Sequence, residues 1–339
     1  MINFEMLNSV DSKEMYKVYD NWPEIAEKSF HFNHKKIEFR DVRHIVFAGM
    51  GGSGAIGDIF SAILSKTDIH VTVVKGYLLP KTVSEKSLVI ATSVSGNTIE
   101  TLSVLEEAKK RNCKIITFSS GGKMERYCKE NNIEFRNISQ IHSPRASFTK
   151  FLYSMLKVLK SVIPIEDNQV DESISNLKKL KNEINSSNLN EKNPALALAN
   201  WISGIPIIYY PYGLQASAIR FKNSLQENAK IHAVTEDVIE ACHNGIVAWE
   251  KQSNFQPILV QGKEDYIKTK ERWNILKEYF KLNNIGYWEN QSVEGNILSK
   301  IIHLIYLYDY ASIYLAIKNN VDPTPVKSIY FVKNKSENK

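Results

Sequence analysis

The segment Ser93-Val-Ser-Gly-Asn-Thr98 has the clearest chemical potential, because it places hydroxyl groups and a glycine directly before a predicted amphipathic helix. Its hydroxyl residues are Ser93, Ser95 and Thr98. Backbone amides and the positive end of a helix dipole favour an anion at such a position. Asn97 with Glu100 fits a capping box, but a cap needs only one hydroxyl group. The segment therefore predicts a phosphate-binding loop.

The turn Gly49-Met-Gly-Gly-Ser-Gly54 also joins a predicted strand to a predicted helix. Glycines let the backbone approach a bound group closely. The residues predicted to bind substrate here are Gly51, Gly52 and Ser53. The spacing matches a dinucleotide fingerprint formally, yet that fingerprint requires an acid after the next strand, where this chain has Lys75. A triphosphate loop would require Gly-Lys-Ser or Gly-Lys-Thr, so the two loops favour a small phosphorylated sugar.

Composition narrows the classes of function. The 339 residues are 43% hydrophobic and 24% charged with a net charge of +6, which is typical of a globular protein without a strongly basic face. We therefore expect no nucleic-acid partner. No apolar run reaches the roughly 20 residues of a membrane span, and the first residues do not form a signal peptide, so a cytoplasmic protein without a membrane partner is expected. The scattered Cys113, Cys128 and Cys242 predict neither disulfides nor a zinc site, and no metal or other cofactor is expected.

Short apolar runs alternate with longer stretches of helical period, which is typical of a parallel sheet covered by helices. In the first half the predicted strands are His44–Ala48, Val71–Val74, Leu88–Thr92, Lys114–Phe118 and Ile133–Phe135. The predicted helices there are Gly54–Leu64, Thr98–Arg111, Lys123–Asn131 and Ala146–Val162. Strands this rich in Val and Ile indicate a sheet that is buried on both faces.

The second half shows the same alternation without a readable sequence repeat. Its predicted strands are Pro206–Tyr210, Pro257–Gln261 and Gly286–Gln291. Its predicted helices are Leu214–Gln226, Asp265–Phe280, Gly295–Ile317 and a short one over Val326–Lys333. We predict an α/β fold with two doubly wound parallel-sheet domains of flavodoxin-like type. Residues 1–163 are predicted to form the first domain together with the leading helices. Residues 164–193 are predicted to form a helical linker, and residues 194–339 the second domain with a C-terminal helix.

The two loops, GMGGSG and SVSGNTIET, resemble those of the sugar isomerase (SIS) domain family and, within it, the bifunctional phosphoglucose/phosphomannose isomerases. The resemblance continues through Ser143–Ser147, Arg220–Lys230, Glu240–Asn244, Tyr308–Ser312 and Asp322–Val326. It implies two SIS domains and a homodimer with its active site near the interface. It also implies interconversion of glucose 6-phosphate or mannose 6-phosphate with fructose 6-phosphate, without ranking the two aldoses.

Aldose–ketose isomerisation moves a proton between C1 and C2 through an enediol, so it needs a base, a cation for the oxyanion and groups that open the sugar ring. On residue type alone, Glu227, His243 and Arg145 fit ordinary surface or structural roles. The resemblance implies that Glu227 is the base and that Arg145 stabilises the enediolate. The resemblance also implies that His243 assists ring opening, either in its own subunit or in the partner subunit. It implies the same role for Lys333 or for its neighbour Lys335.

Three other residues have weaker interpretations. Asp309, inside the long apolar helix, is interpreted as a buried, hydrogen-bonded structural acid. Thr324 either contacts the sugar or simply belongs to the turn that ends this helix. Gln226 stands where the family often has asparagine, next to the predicted base.

Two alternatives to this activity are an isomerase for another sugar phosphate and a non-catalytic phosphosugar-binding protein. An amidotransferase-type isomerase needs a glutaminase domain, and a phosphosugar-responsive regulator needs a helix-turn-helix domain. We expect neither, because the segment before His44 is short.

Overall fold

The computed structural model describes residues 2–35 and 37–337 and contains two parallel β-sheets. The first sheet has five strands in the order β2-β1-β3-β4-β5. They are β1 (His44–Ala48), β2 (His70–Val74), β3 (Leu88–Ser93), β4 (Lys114–Ser119) and β5 (Glu134–Asn137). Every residue of β3 is buried, as expected of a central strand that helices cover on both faces.

Helices precede and cover this sheet. The leading helices are α1 (Phe4–Val10), α2 (Met15–Asp20) and α3 (Trp22–His31). The helices that connect and follow the strands are α4 (Gly51–Leu64), α5 (Ile99–Lys110), α6 (Gly122–Glu130) and α7 (Phe148–Val158). Helix α8 (Asp167–Ile184) then occupies most of the predicted linker.

The second sheet has four parallel strands in the order β7-β6-β8-β9. They are β6 (Ile205–Tyr210), β7 (Val234–Asp237), β8 (Phe255–Gln261) and β9 (Trp288–Gln291). Its helices are α9 (Pro194–Trp201), α10 (Gln215–Ser224), α11 (Val238–Ala241), α12 (Ile267–Leu282), α13 (Ile297–Lys318) and α14 (Lys327–Glu337). The predicted α/β fold with two parallel-sheet domains is confirmed, and the first sheet has the flavodoxin-like strand order. Strand β7 has no counterpart in the prediction, because Val-Thr-Glu-Asp shows neither an apolar run nor an alternation.

Helix α13 lies at the centre of the largest hydrophobic core and is buried along nearly its whole length. Helices α8, α9 and α10 pack against it. The same core includes Trp22, Ile45 and Ile208, so one apolar interior joins both sheets and the leading helices. The predicted boundaries at residues 163 and 194 stay a prediction. Within the described residues, no helix is both long and apolar enough to cross a membrane.

Candidate active site

A pocket of about 490 Å³ opens at the carboxyl ends of β1 and β3. Strand β1 lies between β2 and β3, so the sheet order reverses here and leaves a crevice, the usual ligand position in doubly wound folds. The turn after β1, the loop after β3 and helix α14 line the pocket. Helices α4 and α5 both begin at the pocket, so two helix dipoles favour an anion in it.

The loop after β3 presents two of its three predicted hydroxyl groups to the pocket. Ser95 and Thr98 line the pocket. Ser93 is buried behind them, with its hydroxyl 2.9 Å from that of Thr98 and 3.1 Å from the amide of Gly96 that donates to it. Ser93 therefore orients Thr98 rather than facing the pocket. A side chain at Gly96, where φ is +68°, would collide with the carbonyl of Gly121, so only glycine fits this turn.

The predicted capping box is wrong. Helix α5 begins after Thr98, and no side chain of the described residues accepts a hydrogen bond from its first amides. Asn97 instead accepts from the backbone amide of Lys123 at 3.0 Å and thereby ties the loop to the start of α6. The hydroxyl of Ser95 accepts from the amide of Asn97 at 3.3 Å, which is a local contact within the loop. The first amides of α5 are thus left for a ligand.

The glycine turn after β1 forms the opposite wall. Gly51, Gly52 and Ser53 line the pocket in the first turn of α4, and Gly51 adopts a left-handed φ of +52°. A Cβ atom at Gly52 would lie 3.2 Å from Nη1 of Arg220 and 3.8 Å from Cα of Arg145. Glycine at this position therefore lets two arginines approach the turn closely.

Arg145 lies between the two halves of the chain and is 5% exposed. Its Nε donates to Oδ1 of Asn228 at 2.7 Å, and its Nη2 donates to the carbonyls of Pro323 and Thr324. Its Nη1 lies 3.5 Å from Oε2 of Glu227. The predicted base and the predicted cation, which are 82 residues apart in sequence, therefore face the same pocket as a weak ion pair.

Glu227 lies in a π-helical turn, Leu225–Ala229, that continues α10. The sequence predicts an ordinary helix end at this position, and one-turn π insertions are frequent at functional sites. The turn leaves the Glu227 side chain 26% exposed toward the pocket, whereas its neighbour Asn228 is buried and donates to Ser312 at 2.8 Å. The π turn thus directs consecutive side chains to the pocket and to the core.

A buried ion pair supports this arrangement. Nη2 of Arg220 donates to Oδ2 of Asp309 at 2.7 Å, and both side chains are almost fully buried, with 3% and 0% exposed. Arg220 also donates to the carbonyl of Arg145 at 3.0 Å, and its guanidinium lies 4.4 Å from the ring centroid of Phe148. The interpretation of Asp309 as a buried structural acid is confirmed. The sequence identified neither an ion pair at Asp309 nor Arg220 as its partner.

Helix α14 covers one side of the pocket. Lys333 lines the pocket, whereas Lys335 lies outside the lining. The apolar lining residues of this helix and its approach are Val326, Ile329, Tyr330 and Val332. Sequence reasoning missed this apolar wall and also missed Tyr77, which lines the pocket from the loop after β2.

Two of the residues considered from the sequence lie elsewhere. His243 lies on an exposed turn after α11, outside the pocket lining. Thr324 accepts from Arg145 through its carbonyl, while its buried hydroxyl has no hydrogen-bond partner among the described residues.

Within the described residues no group of three His, Cys, Asp or Glu side chains is placed to hold a metal ion.

Two family models match the chain. The model described as the SIS domain matches residues 38–163. The model described as the bacterial phospho-glucose isomerase C-terminal SIS domain matches residues 191–335. Each match contains one of the two parallel sheets.

Curated relatives align over almost the whole chain. A bifunctional phosphoglucose/phosphomannose isomerase of Caldicellulosiruptor bescii is 34% identical over 336 residues, which is 95% of this chain and 98% of that protein. A protein of the same name from Aquifex aeolicus is 32% identical, again over 95% of this chain and 98% of the relative. Among solved structures, the C-terminal domain of glucosamine-fructose-6-phosphate aminotransferase from Francisella tularensis matches with a TM-score of 0.71 at 18% identity, covering 92% of this chain and 98% of that one. The last match shows a shared fold.

Proposed function

The chain belongs to the family of bifunctional phosphoglucose/phosphomannose isomerases, and we propose that it interconverts glucose 6-phosphate and mannose 6-phosphate with fructose 6-phosphate. It is an aldose–ketose isomerase, an intramolecular oxidoreductase. The observation that carries the proposal is the pairing of Glu227 with Arg145 beside the hydroxyl loop in one pocket. A carboxylate base, a fixed cation and an anion cradle are the groups that this reaction requires.

The phosphate of the substrate binds between the first turns of α4 and α5. Ser53, Ser95 and Thr98 supply hydroxyl groups there, and the glycines Gly51 and Gly52 leave the backbone amides accessible. Ser93 belongs to this set through its hydrogen bond with Thr98. Neutral donors and helix dipoles hold a phosphate monoester without a lysine in the loop. The sugar then extends from this cradle toward Glu227.

The reaction transfers a proton between C1 and C2 of the open-chain sugar. Glu227 removes the proton from one carbon and returns it to the other. Arg145 stabilises the negative charge that develops on the enediolate oxygen, and its four hydrogen-bonding contacts keep it fixed while that charge forms. Lys333, on α14, donates to the ring oxygen during ring opening. This route uses only side chains of the protein and no metal or other cofactor.

A coupled assay tests the function directly. We expect turnover of fructose 6-phosphate to both aldose phosphates, unchanged by a chelator, and no turnover of unphosphorylated fructose, because the phosphate is the group that the cradle holds. Saturable binding of fructose 6-phosphate without turnover would instead indicate a non-catalytic phosphosugar-binding protein. Turnover of a different sugar phosphate alone would indicate another isomerase of the same fold.

A homodimer brings His243 to the active site of the partner subunit. His243 lies on an exposed turn outside the pocket of its own chain, between the exposed apolar residues Ile239 and Val247. Exposed apolar groups around a functional residue support an interface between copies of the chain. The three cysteines are free, which is consistent with a protein that acts in the reducing cytoplasm. Cell fractionation would test this location.

Mixing two inactive variants tests this dimer. A Glu227→Gln subunit paired with a His243→Ala subunit contains one intact site if His243 serves the partner. Randomly reassembled mixtures of the two variants should then recover about a quarter of the wild-type activity, since half of the dimers are mixed and each has one intact site. Mixtures that stay as inactive as the separate variants would place His243 in its own subunit, and a monomeric wild-type protein would contradict the dimer itself.

A further inference from the structure

Lys230 ends the π-helical turn that carries Glu227, and its position is unusual for a lysine. Its φ of +58° lies in the left-handed region, which favours glycine or asparagine. A non-glycine residue held in this conformation suggests that its side chain has a task that offsets the backbone strain.

The ammonium of Lys230 joins two separate segments. Its Nζ donates to the carbonyl of Glu227 at 2.5 Å and lies 3.4 Å from the carbonyl of Asn228 in the same turn. It also donates to the carbonyl of Pro323 at 3.2 Å, across 93 residues of sequence. An ammonium group has three donors, so three carbonyl acceptors match it.

The carbonyl of Pro323 is shared with the predicted cation. Nη2 of Arg145 donates to the same oxygen. One carbonyl therefore connects Arg145 to Lys230, and Lys230 connects that carbonyl to the peptide of Glu227. The network fixes the distance between the carboxylate of Glu227 and the guanidinium of Arg145 through backbone groups rather than through their weak 3.5 Å contact.

We propose that Lys230 is a positioning residue for the isomerisation, holding Glu227 at its working distance from Arg145 by fastening the π turn to the carbonyl of Pro323. This inference rests on the proposed function of the same site. Lys230 does not line the pocket, so it acts through Glu227 and Arg145 and not on the substrate. Errors of an ångström in such placement cost up to about 10²-fold in rate.

The charge on Lys230 titrates in an accessible range. Desolvation and the nearby Arg145 lower the pKa of Lys230 to about 8, while the facing carboxylates of Asp322 and Glu227 oppose this shift. Below that pH the side chain of Lys230 is protonated, and its three hydrogen-bonding contacts are retained. Above it the amine is neutral and has one donor fewer, so the π turn is held less firmly. The turnover of the wild-type enzyme should therefore decline as the pH rises through about 8.

Three variants test the proposal in assays of kcat and KM from pH 6 to pH 10. Lys230→Met should lower kcat by about 10- to 100-fold with little change in KM, because the transition state and not the substrate loses its alignment. Lys230→Arg keeps its charge over this range, so it should restore much of the turnover and abolish the decline near pH 8. Lys281→Met, at an exposed lysine of α12, is the matched control and should behave as the wild type.

Two results would overturn the proposal. One is Lys230→Met with wild-type kcat and the same alkaline decline. The other is Lys230→Arg with an unshifted alkaline decline, which decides the matter even if the methionine variant does not fold. A wild-type protein that turns over no sugar phosphate would instead reject the function itself, so the two failures are distinguishable.

Discussion

Replacing Glu227 with glutamine is expected to lower kcat by about 10²- to 10⁴-fold, because the amide cannot accept and return the proton that moves between C1 and C2. The substitution keeps the size of the side chain, which is partly exposed to the pocket, so the unfolding midpoint should be unchanged. KM should change little, since the proposed phosphate cradle lies on α4 and α5 and not on the π turn. Steady-state kinetics and thermal unfolding of the same preparations give both quantities.

Isotope exchange distinguishes loss of the base from general damage. In deuterated water the wild-type enzyme should incorporate solvent deuterium into the product during enediol formation, and Glu227→Gln should lose this exchange together with turnover. Gln226→Asn, which changes the adjacent exposed residue of the same π turn, is the matched control and should retain nearly full activity. Full turnover or undiminished exchange in Glu227→Gln would remove Glu227 from the role of base.

The elements that carry a strong local signal could be predicted from the sequence. Strand β1 and the central strand β3 are apolar runs bounded by polar turns, and both lie within one residue of their predicted limits. The two loops that follow them combine glycine and hydroxyl residues at helix starts, which is a local pattern. Since the carboxyl ends of neighbouring parallel strands meet at one edge of the sheet, these loops necessarily lie together.

The contacts that assemble the site could not be predicted in the same way, because they join residues that are distant in sequence. Arg220 pairs with Asp309 across 89 residues, and Lys230 reaches Pro323 across 93. Nothing within a window of helical length specifies such partners. The π turn at Leu225–Ala229 was not predicted for a related reason, because its buried Asn228 donates to Ser312, a contact across 84 residues that no local pattern specifies.

The predicted active-site residues therefore depend on a support that the sequence motifs do not reveal. Arg145 belongs to the first half of the chain and Glu227 to the second, and the pocket exists only where the halves meet. Arg220 joins them, because it donates both to the carboxylate of Asp309 in the second half and to the carbonyl of Arg145 in the first. The same carboxylate also accepts from Ser224. We therefore expect changes in this buried pair to affect both the stability and the activity of the protein.

Asp309→Leu is expected to lower the free energy of unfolding by about 3–5 kcal/mol, because it leaves the guanidinium of Arg220 buried without its counter-charge. Both members of the pair are almost completely inaccessible to solvent, so water cannot compensate for the lost contact. Urea unfolding of Asp309→Leu, Arg220→Met and the double variant gives the coupling energy of the pair. The surface pair of Lys178 and Glu27, whose side chains are 46% and 44% exposed, supplies the control, since Glu27→Gln should cost less than about 1 kcal/mol.

The double variant separates the structural role of the pair from its effect on the reaction. Apolar residues of similar size often replace a buried ion pair without loss of stability, so Arg220→Met with Asp309→Leu should recover most of the unfolding free energy. Turnover should stay at least about 10-fold below the wild type, because the carbonyl of Arg145 has lost the donor that fixed it beside Gly52. Recovery of turnover together with stability would mean that packing alone places Arg145. A single Asp309→Leu change that costs no more than the surface control would show that the pair does not hold the two halves together.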